Sequence, residues 1–256
     1  MISKNKIKYI RSLQTKKYRD SLGVFIAEGP KVVCDIIKCH PSLLRQLYAT
    51  KEWITNNDSY CNGLAEDIDI VEVSHEELAK ISTLCNPQQV LAVFNKFNAN
   101  LSVLNLNTEL SLLLDGVQDP GNLGTIIRIA DWFGIKNVIC SHTTADIYNP
   151  KVIQATMGSV ARVNVFYTSL QDVINAMPEG FPVYGTLLEG NNIYKESLEK
   201  YGFIVMGNEG KGVSPTIRNS ITKGLRIPNF PETRATVDSL NVAVATAIVC
   251  AEFRRR

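Results

Sequence analysis

From residue 109 onward the chain repeats one pattern: a short unbroken apolar run, a turn, then a helical stretch. The run LSLLL within residues 109–115 has no polar alternation, so it reads as a strand buried on both faces. A helix is expected over 123–133, a strand over 136–140, a helix over 149–160 and a strand over 162–166. The series continues with a helix over 170–177, strands over 182–187 and 203–206, a short helix over 215–220, a strand over 224–227 and a last helix over 240–253. Parallel strands need long crossovers, and helices are the usual crossovers, so this alternation predicts a mostly parallel sheet covered on both faces.

The first 96 residues form a smaller α/β series. Ile7, Ile10 and Leu13 recur at helical spacing within residues 4–18, with cations between them. VFIAEGPK reads as a strand ending at Glu28-Gly29, and Pro30 opens the next helix, with Val32, Val33, Ile36 and Ile37 facing a core. Short strands are expected over 47–49, 68–73 and 90–94, and Ser74 with Glu77 makes a capping box between the last two. NKFNANLSVLNLNT (residues 95–108) is polar and aperiodic; it divides the chain into an N-terminal domain over 1–96, a linker over 97–108 and a C-terminal domain over 109–256. Its LSVLNLN portion has an extra strand as the other reading.

Composition removes several classes. A chain of 256 residues that is 45% hydrophobic has enough apolar material for packed cores. No apolar run is long enough to cross a bilayer, and MISKNKIKYIRS has no apolar stretch of the secretory type, so no membrane partner and a cytoplasmic protein are expected. The six cysteines (Cys34, Cys39, Cys61, Cys85, Cys140, Cys250) make no CxxC pair, and three histidines add no zinc spacing, so reduced thiols and no metal are expected. Net charge is only +2, but Lys4, Lys6, Lys8, Arg11, Lys16, Lys17 and Arg19 all precede the first acid, Asp20, and the chain ends in three arginines. Clustered cations of this kind, with Lys31 beyond them, are candidate phosphate contacts, or a solvated helix face.

Three stretches of the C-terminal domain carry polar residues where strands run into loops and helices. In DPGNLGTIIRIADWFG (119–134) the turn residues precede a helix that Asn122 can cap, and Arg128 sits among isoleucines one and a half turns on. In MGNEGKGVS (206–214) Glu209 stands in a glycine-rich loop after an apolar strand, as an anion nest or a plain turn. It is not a phosphate-binding P-loop, and no GxGxxG exists anywhere to bind a dinucleotide. In DSLNVAVATAIVCAEF (238–253) Asp238 or Ser239 can cap the last helix, Asn241 sits in its first turn, and small residues allow close packing.

Taken in order, these stretches resemble the three motifs of the SpoU (TrmH-like) RNA 2′-O-ribose methyltransferases of the SPOUT superfamily. Asn122, Gly124 and Arg128 match the first motif; Gly207, Glu209, Gly210 and Gly212 the second; residues 239–242 (SLNV) the third. FIAEGPKVV and NPQQVLAVF are similar to the family's substrate-binding domain. The resemblance implies an α/β fold in which a C-terminal trefoil-knot methyltransferase domain, a rare exception to unknotted topology, follows a small α/β/α ribosomal-protein-like RNA-binding domain. It implies S-adenosylmethionine as cofactor, held at Gly207, Ile227, Leu240, Thr186, Leu187 and Ser239. It implies catalytic roles for Asn122, Arg128, Glu209 and Asn241, a homodimer through the last helix, and RNA as substrate, ribosomal rather than transfer RNA. A non-catalytic RNA-binding or ribosome-assembly protein that retains the fold is the rival from another class. Between Ile227-Pro228 and Ser239-Leu240 the insert NFPETRATVD is longer than the family spacing, with Arg234 and Thr236 as candidate RNA or cofactor contacts.

Overall fold

The computed structural model describes residues 2–58, 68–98, 101, 106–231 and 239–255. The possible strand in LSVLNLN, Arg234, Thr236 and the cap candidate Asp238 lie outside them. The chain divides into two compact units, Met1–Asn98 with Asp146–Arg162, and Ala99–Ala145 with Val163–Arg256.

The first unit is a four-stranded sheet in the order β1-β4-β2-β3, from β1 (Val24–Glu28), β2 (Leu44–Ala49), β3 (Asp69–Glu72) and β4 (Val90–Asn95). β4 runs antiparallel to both β1 and β2, while β2 and β3 are parallel. Strand side chains alternate between faces. Val24 and Ile26 join Ile10 and Leu13 of the N-terminal helices and Leu78 and Ile81 of α5 (His75–Ile81) in one core cluster. Phe25 points to the opposite face, where it meets Phe94, Phe97 and Tyr148 with ring centroids 5.6, 5.5 and 5.1 Å away. That face is covered by α3 (Pro30–Cys39), whose Val32, Val33, Ile36 and Ile37 are buried. α4 (Lys51–Asn56) starts at the Thr50 cap, and the Ser74–Glu77 capping box of α5 is formed.

Two expectations change in this unit. The helix expected over 4–18 is two helices, α1 (Lys4–Ser12) and α2 (Lys16–Leu22). The break follows from Arg19, whose guanidinium donates to the carbonyls of Leu13 and Gln14 at 2.9 and 2.8 Å and so takes acceptors a continuous helix would use. The segment Asp146–Arg162 leaves the C-terminal series and packs with this unit instead. Its helix is shorter than the expected 149–160: α7 (Pro150–Ala155) starts at the Asn149 cap and gives way to a turn with Met157 and Gly158 at φ 51° and 93°.

The second unit is a six-stranded sheet in the order β10-β8-β9-β5-β6-β7, and every pairing in it is parallel. Its strands are β5 (Leu110–Asp115), β6 (Asn137–Cys140), β7 (Asn164–Tyr167), β8 (Val183–Asn192), β9 (Gly202–Gly207) and β10 (Lys223–Arg226). The helices are α6 (Pro120–Trp132), α8 (Leu170–Asn175), α9 (Pro215–Arg218) and α10 (Val242–Arg255). After β5 the chain moves toward one edge; after β9 it moves toward the other. The strand order therefore reverses between β5 and β9, and in parallel sheets a crevice opens there beyond the strand ends. β8 departs from expectation by continuing to Asn192: Tyr184 and Gly185 pair with Lys223 and Gly224, then Asn191 and Asn192 pair with Leu225 and Arg226. Residues 186–190 are thereby looped out of the ladder.

Candidate active site

Asp115 and Gly207 are register partners at the C-terminal ends of β5 and β9, so the first and second motifs leave the sheet side by side. Gly116 turns the chain at φ 79°. Asn208 spans the gap: its Nδ2 donates to the Gly116 carbonyl at 2.7 Å, and its Oδ1 accepts from the amides of Gly210 and Lys211 at 3.0 Å each. The glycine-rich loop is thus a closed turn rather than an anion nest, because two of its amides are spent on Asn208. A Cβ on Gly207 would lie 2.3 Å from the Gly212 carbonyl carbon, so this return needs glycine.

The N-cap of α6 is Asp119, whose Oδ1 accepts from the Asn122 amide at 2.8 Å. Asn122 is therefore not the cap, and its side chain is left for other partners. Its Nδ2 donates to Glu209 Oε1 at 3.1 Å, and its Oδ1 accepts from Asn241 Nδ2 at 2.9 Å. Glu209 also accepts from the amides of Gln118 and Asp119 at 3.3 and 3.2 Å. Asn241 in turn caps α10, its Oδ1 accepting from Ala243 and Val244 at 2.9 and 3.2 Å, so two of the first-turn amides are spent on the cap. One polar relay, Glu209–Asn122–Asn241, ties the three motifs together. Burial pushes the Glu209 carboxyl up, but the hydrogen bonds from Asn122 and the backbone outweigh it and hold the group below the usual carboxylate range.

Arg128 is not brought into this relay. It lies on the exposed face of α6 with Thr125 and Trp132, and among the described residues it makes no hydrogen bond or ion pair.

Beside the relay a cavity of about 400 Å³ opens between the 186–190 loop-out, the glycine-rich loop, the end of β10 and the start of α10. Gly207, Ile227, Leu240, Thr186, Leu187 and Ser239 all line it. So do Glu189, Lys211, Arg218 and Arg226, which the motifs did not indicate. Small-molecule pockets run to roughly 300–1,000 Å³, with apolar walls and few polar groups. S-adenosylmethionine fits that description: Leu225, Ile227, Leu240 and Ala245 offer apolar surface for a flat base, and Glu189, Glu209, Lys211, Arg218 and Arg226 add the few charged groups.

The expected phosphate contacts divide. Lys4, Lys8, Lys16 and Lys17 are exposed. Lys6 pairs with Asp69 at 2.6 Å, Lys31 with Asp35 at 2.6 Å, and Arg11 donates to the Lys80 carbonyl at 2.7 Å. Arg19 departs from the expectation. It is 2% exposed and bonds Asp146 at 2.7 Å, so its guanidinium is structural and out of reach of a phosphate.

A family model described as the SpoU rRNA Methylase family matches residues 109–251, more than half of the chain. The chain belongs to the SpoU rRNA methylase family. A second model, an MRM3-like substrate binding domain, matches residues 4–92. Among curated SpoU relatives, the 23S rRNA (guanosine(2553)-2′-O)-methyltransferase RlmP of Bacillus subtilis is 32% identical over 251 residues, spanning 97% of this chain and 96% of its own. An rRNA methyltransferase of Sinorhizobium meliloti, solved with S-adenosylmethionine bound, superposes with a TM-score of 0.85 at 30% identity and covers 100% of this chain and 96% of its own. A TrmH-family protein of Porphyromonas gingivalis superposes at 0.82 with 39% identity, covering 100% and 99%.

Proposed function

We propose that this chain transfers a methyl group from S-adenosylmethionine to a ribose 2′-hydroxyl in ribosomal RNA. The observation that carries the proposal is the cavity, whose wall holds every cofactor position expected from the motifs and abuts the Glu209–Asn122–Asn241 relay. The ribosomal substrate is supported by the names of the relatives and by the MRM3-like N-terminal match.

When bound, S-adenosylmethionine supplies an electrophilic methyl group on a sulfonium. The chain has to hold the 2′-oxygen in line with that methyl and let its proton leave. Glu209 is ionised at neutral pH, but its oxygens already face N–H donors, so its work is to fix the loops. Asn122 is clamped from both sides, which removes rotamer freedom beside the cavity; fixing reactants in this way is worth orders of magnitude in rate. Arg128, uncommitted and exposed, suits a phosphate flanking the target; a guanidinium is a poor base but a good bidentate donor.

The last helix supports a homodimer. Val244 is 51% exposed on α10 and Trp132 is 84% exposed on α6, which packs beside it, and exposed aromatic side chains such as Trp are enriched at subunit contacts. Light scattering is expected to give a dimer mass, and Val244→Asp with Trp132→Asp is expected to give a monomer. The family's trefoil knot belongs to the same proposal, supported by the match of residues 109–251 to the family model.

The deciding experiment maps ribose methylation in total RNA from cells with and without the gene, with binding of S-adenosylhomocysteine measured on the purified protein. One ribosomal 2′-O-methyl mark is expected to vanish. A change confined to transfer RNA would overturn the substrate. RNA binding without cofactor binding would favour a non-catalytic RNA-binding protein. Arg128→Lys is expected to weaken RNA affinity and turnover; retention of both would remove the bidentate role.

A further inference from the structure

The cofactor cavity carries a charged pair that none of the three motifs contains. Arg218 Nη2, at the end of α9, donates to Glu189 Oε1, in the 186–190 loop-out, at 2.6 Å, and both residues line the cavity. Their side chains are 47% and 64% exposed. Exposed ion pairs contribute little to folding, so this one is poorly explained as a stabiliser and opens at small cost when a ligand offers better partners. Arg218 holds the Glu189 carboxyl below its usual range by hydrogen bond and charge, so both groups are charged at neutral pH.

The chemistry of the two groups selects the end of the ligand they face. A guanidinium has donors only and is satisfied best by an anionic, bidentate oxygen pair. Adenosine has no anion. The amino-acid end of S-adenosylmethionine has a carboxylate and an ammonium on one carbon, so it offers Arg218 and Glu189 each a partner of opposite sign. Exchanging one ion pair for two leaves no charge unpaired. Glu209, another acid on the wall, is unsuited to the ammonium because Gln118, Asp119 and Asn122 already occupy it. The geometry points to Glu189 and Arg218 as the clamp for the amino-acid end of S-adenosylmethionine, an assignment that rests on the cofactor reading above.

The test is calorimetry on the full-length protein with two probes, S-adenosylhomocysteine and 5′-methylthioadenosine, which lacks the amino-acid end. Arg218→Gln and Glu189→Gln are each expected to weaken S-adenosylhomocysteine by about tenfold or more, the scale of a charged hydrogen bond, and to leave 5′-methylthioadenosine unchanged within about twofold. Arg218→Lys is expected to recover part of the loss. Equal weakening of both probes, or of neither, overturns the clamp while leaving the cofactor intact. A wild-type protein that binds neither probe overturns the cofactor reading and the clamp with it. Circular dichroism confirms that each variant is folded, and the two Gln variants sit on different segments, so a folding failure in one leaves the other to decide.

Discussion

At Glu209 a carboxylate in a surface loop sits among N–H donors from Gln118, Asp119 and Asn122. Its folded pKa is depressed below the ordinary value of 4.5. A depressed carboxylate adds stability that is fully present above its unfolded pKa and is lost as pH falls through the folded value. Glu209→Gln is therefore expected to narrow the stability gap to wild type only below about pH 4.5, with a turnover loss of about a hundredfold at neutral pH because the loops are no longer fixed. Thermal melts across pH and a methyl-transfer assay check both; a gap that persists unchanged at pH 3 would contradict the assignment. The sequence made Asn122, Glu209 and Asn241 legible as polar residues at strand–helix junctions, yet not who bonds whom. Asn122 and Asp119 both suit a cap, and the deciding signal was present: Pro120 favours the first helical position, which makes its predecessor the cap. Arg19 gave no such signal, since its partner Asp146 lies 127 positions away and burial by a distant segment leaves no local trace.

The elements of the C-terminal unit were the most legible part of the chain, because unbroken apolar strands and helical periods mark parallel α/β structure directly. What stayed hidden was the detour within β8. Residues 186–190 leave the ladder and the strand resumes, and the apolar pattern cannot register a loop whose reason is a cavity. Gly190 shows the same constraint from the other side: a Cβ there would meet the Gly224 and Leu225 backbone at 2.7 Å. The glycine-rich loop has the tighter contact, at Gly207. Gly207→Ala forces the Asn208–Gly212 bridge apart, at a cost of about 1–3 kcal/mol for overpacking. A lower melting temperature and loss of S-adenosylhomocysteine binding are expected; a variant that melts and binds like wild type would show that the loop's return path is not needed.

For the whole molecule, the telling feature is that the first unit is assembled from two pieces of chain, Met1–Asn98 and Asp146–Arg162. Arg19 and Asp146 join those pieces through a largely buried ion pair, at 2% and 15% side-chain exposure. Removing one partner of a buried pair leaves an uncompensated charge and typically costs about 3–5 kcal/mol. Asp146→Asn is expected to lower the urea midpoint followed by Trp53, the buried one of the chain's two tryptophans, which lies in this unit. An unchanged midpoint would mean that the pair does not hold the pieces together. Domains tend to fold as they emerge during synthesis, N-terminal units first. Here the emerging first piece has its aromatic face around Phe25 still without Tyr148, and it waits until residue 162 has left the ribosome. By then β5, α6 and β6 have already been made. The N-terminal unit, first in sequence, is thus completed only after the second unit has begun, and a nascent-chain stall before residue 146 would leave the unit that matches a substrate-binding domain unfinished.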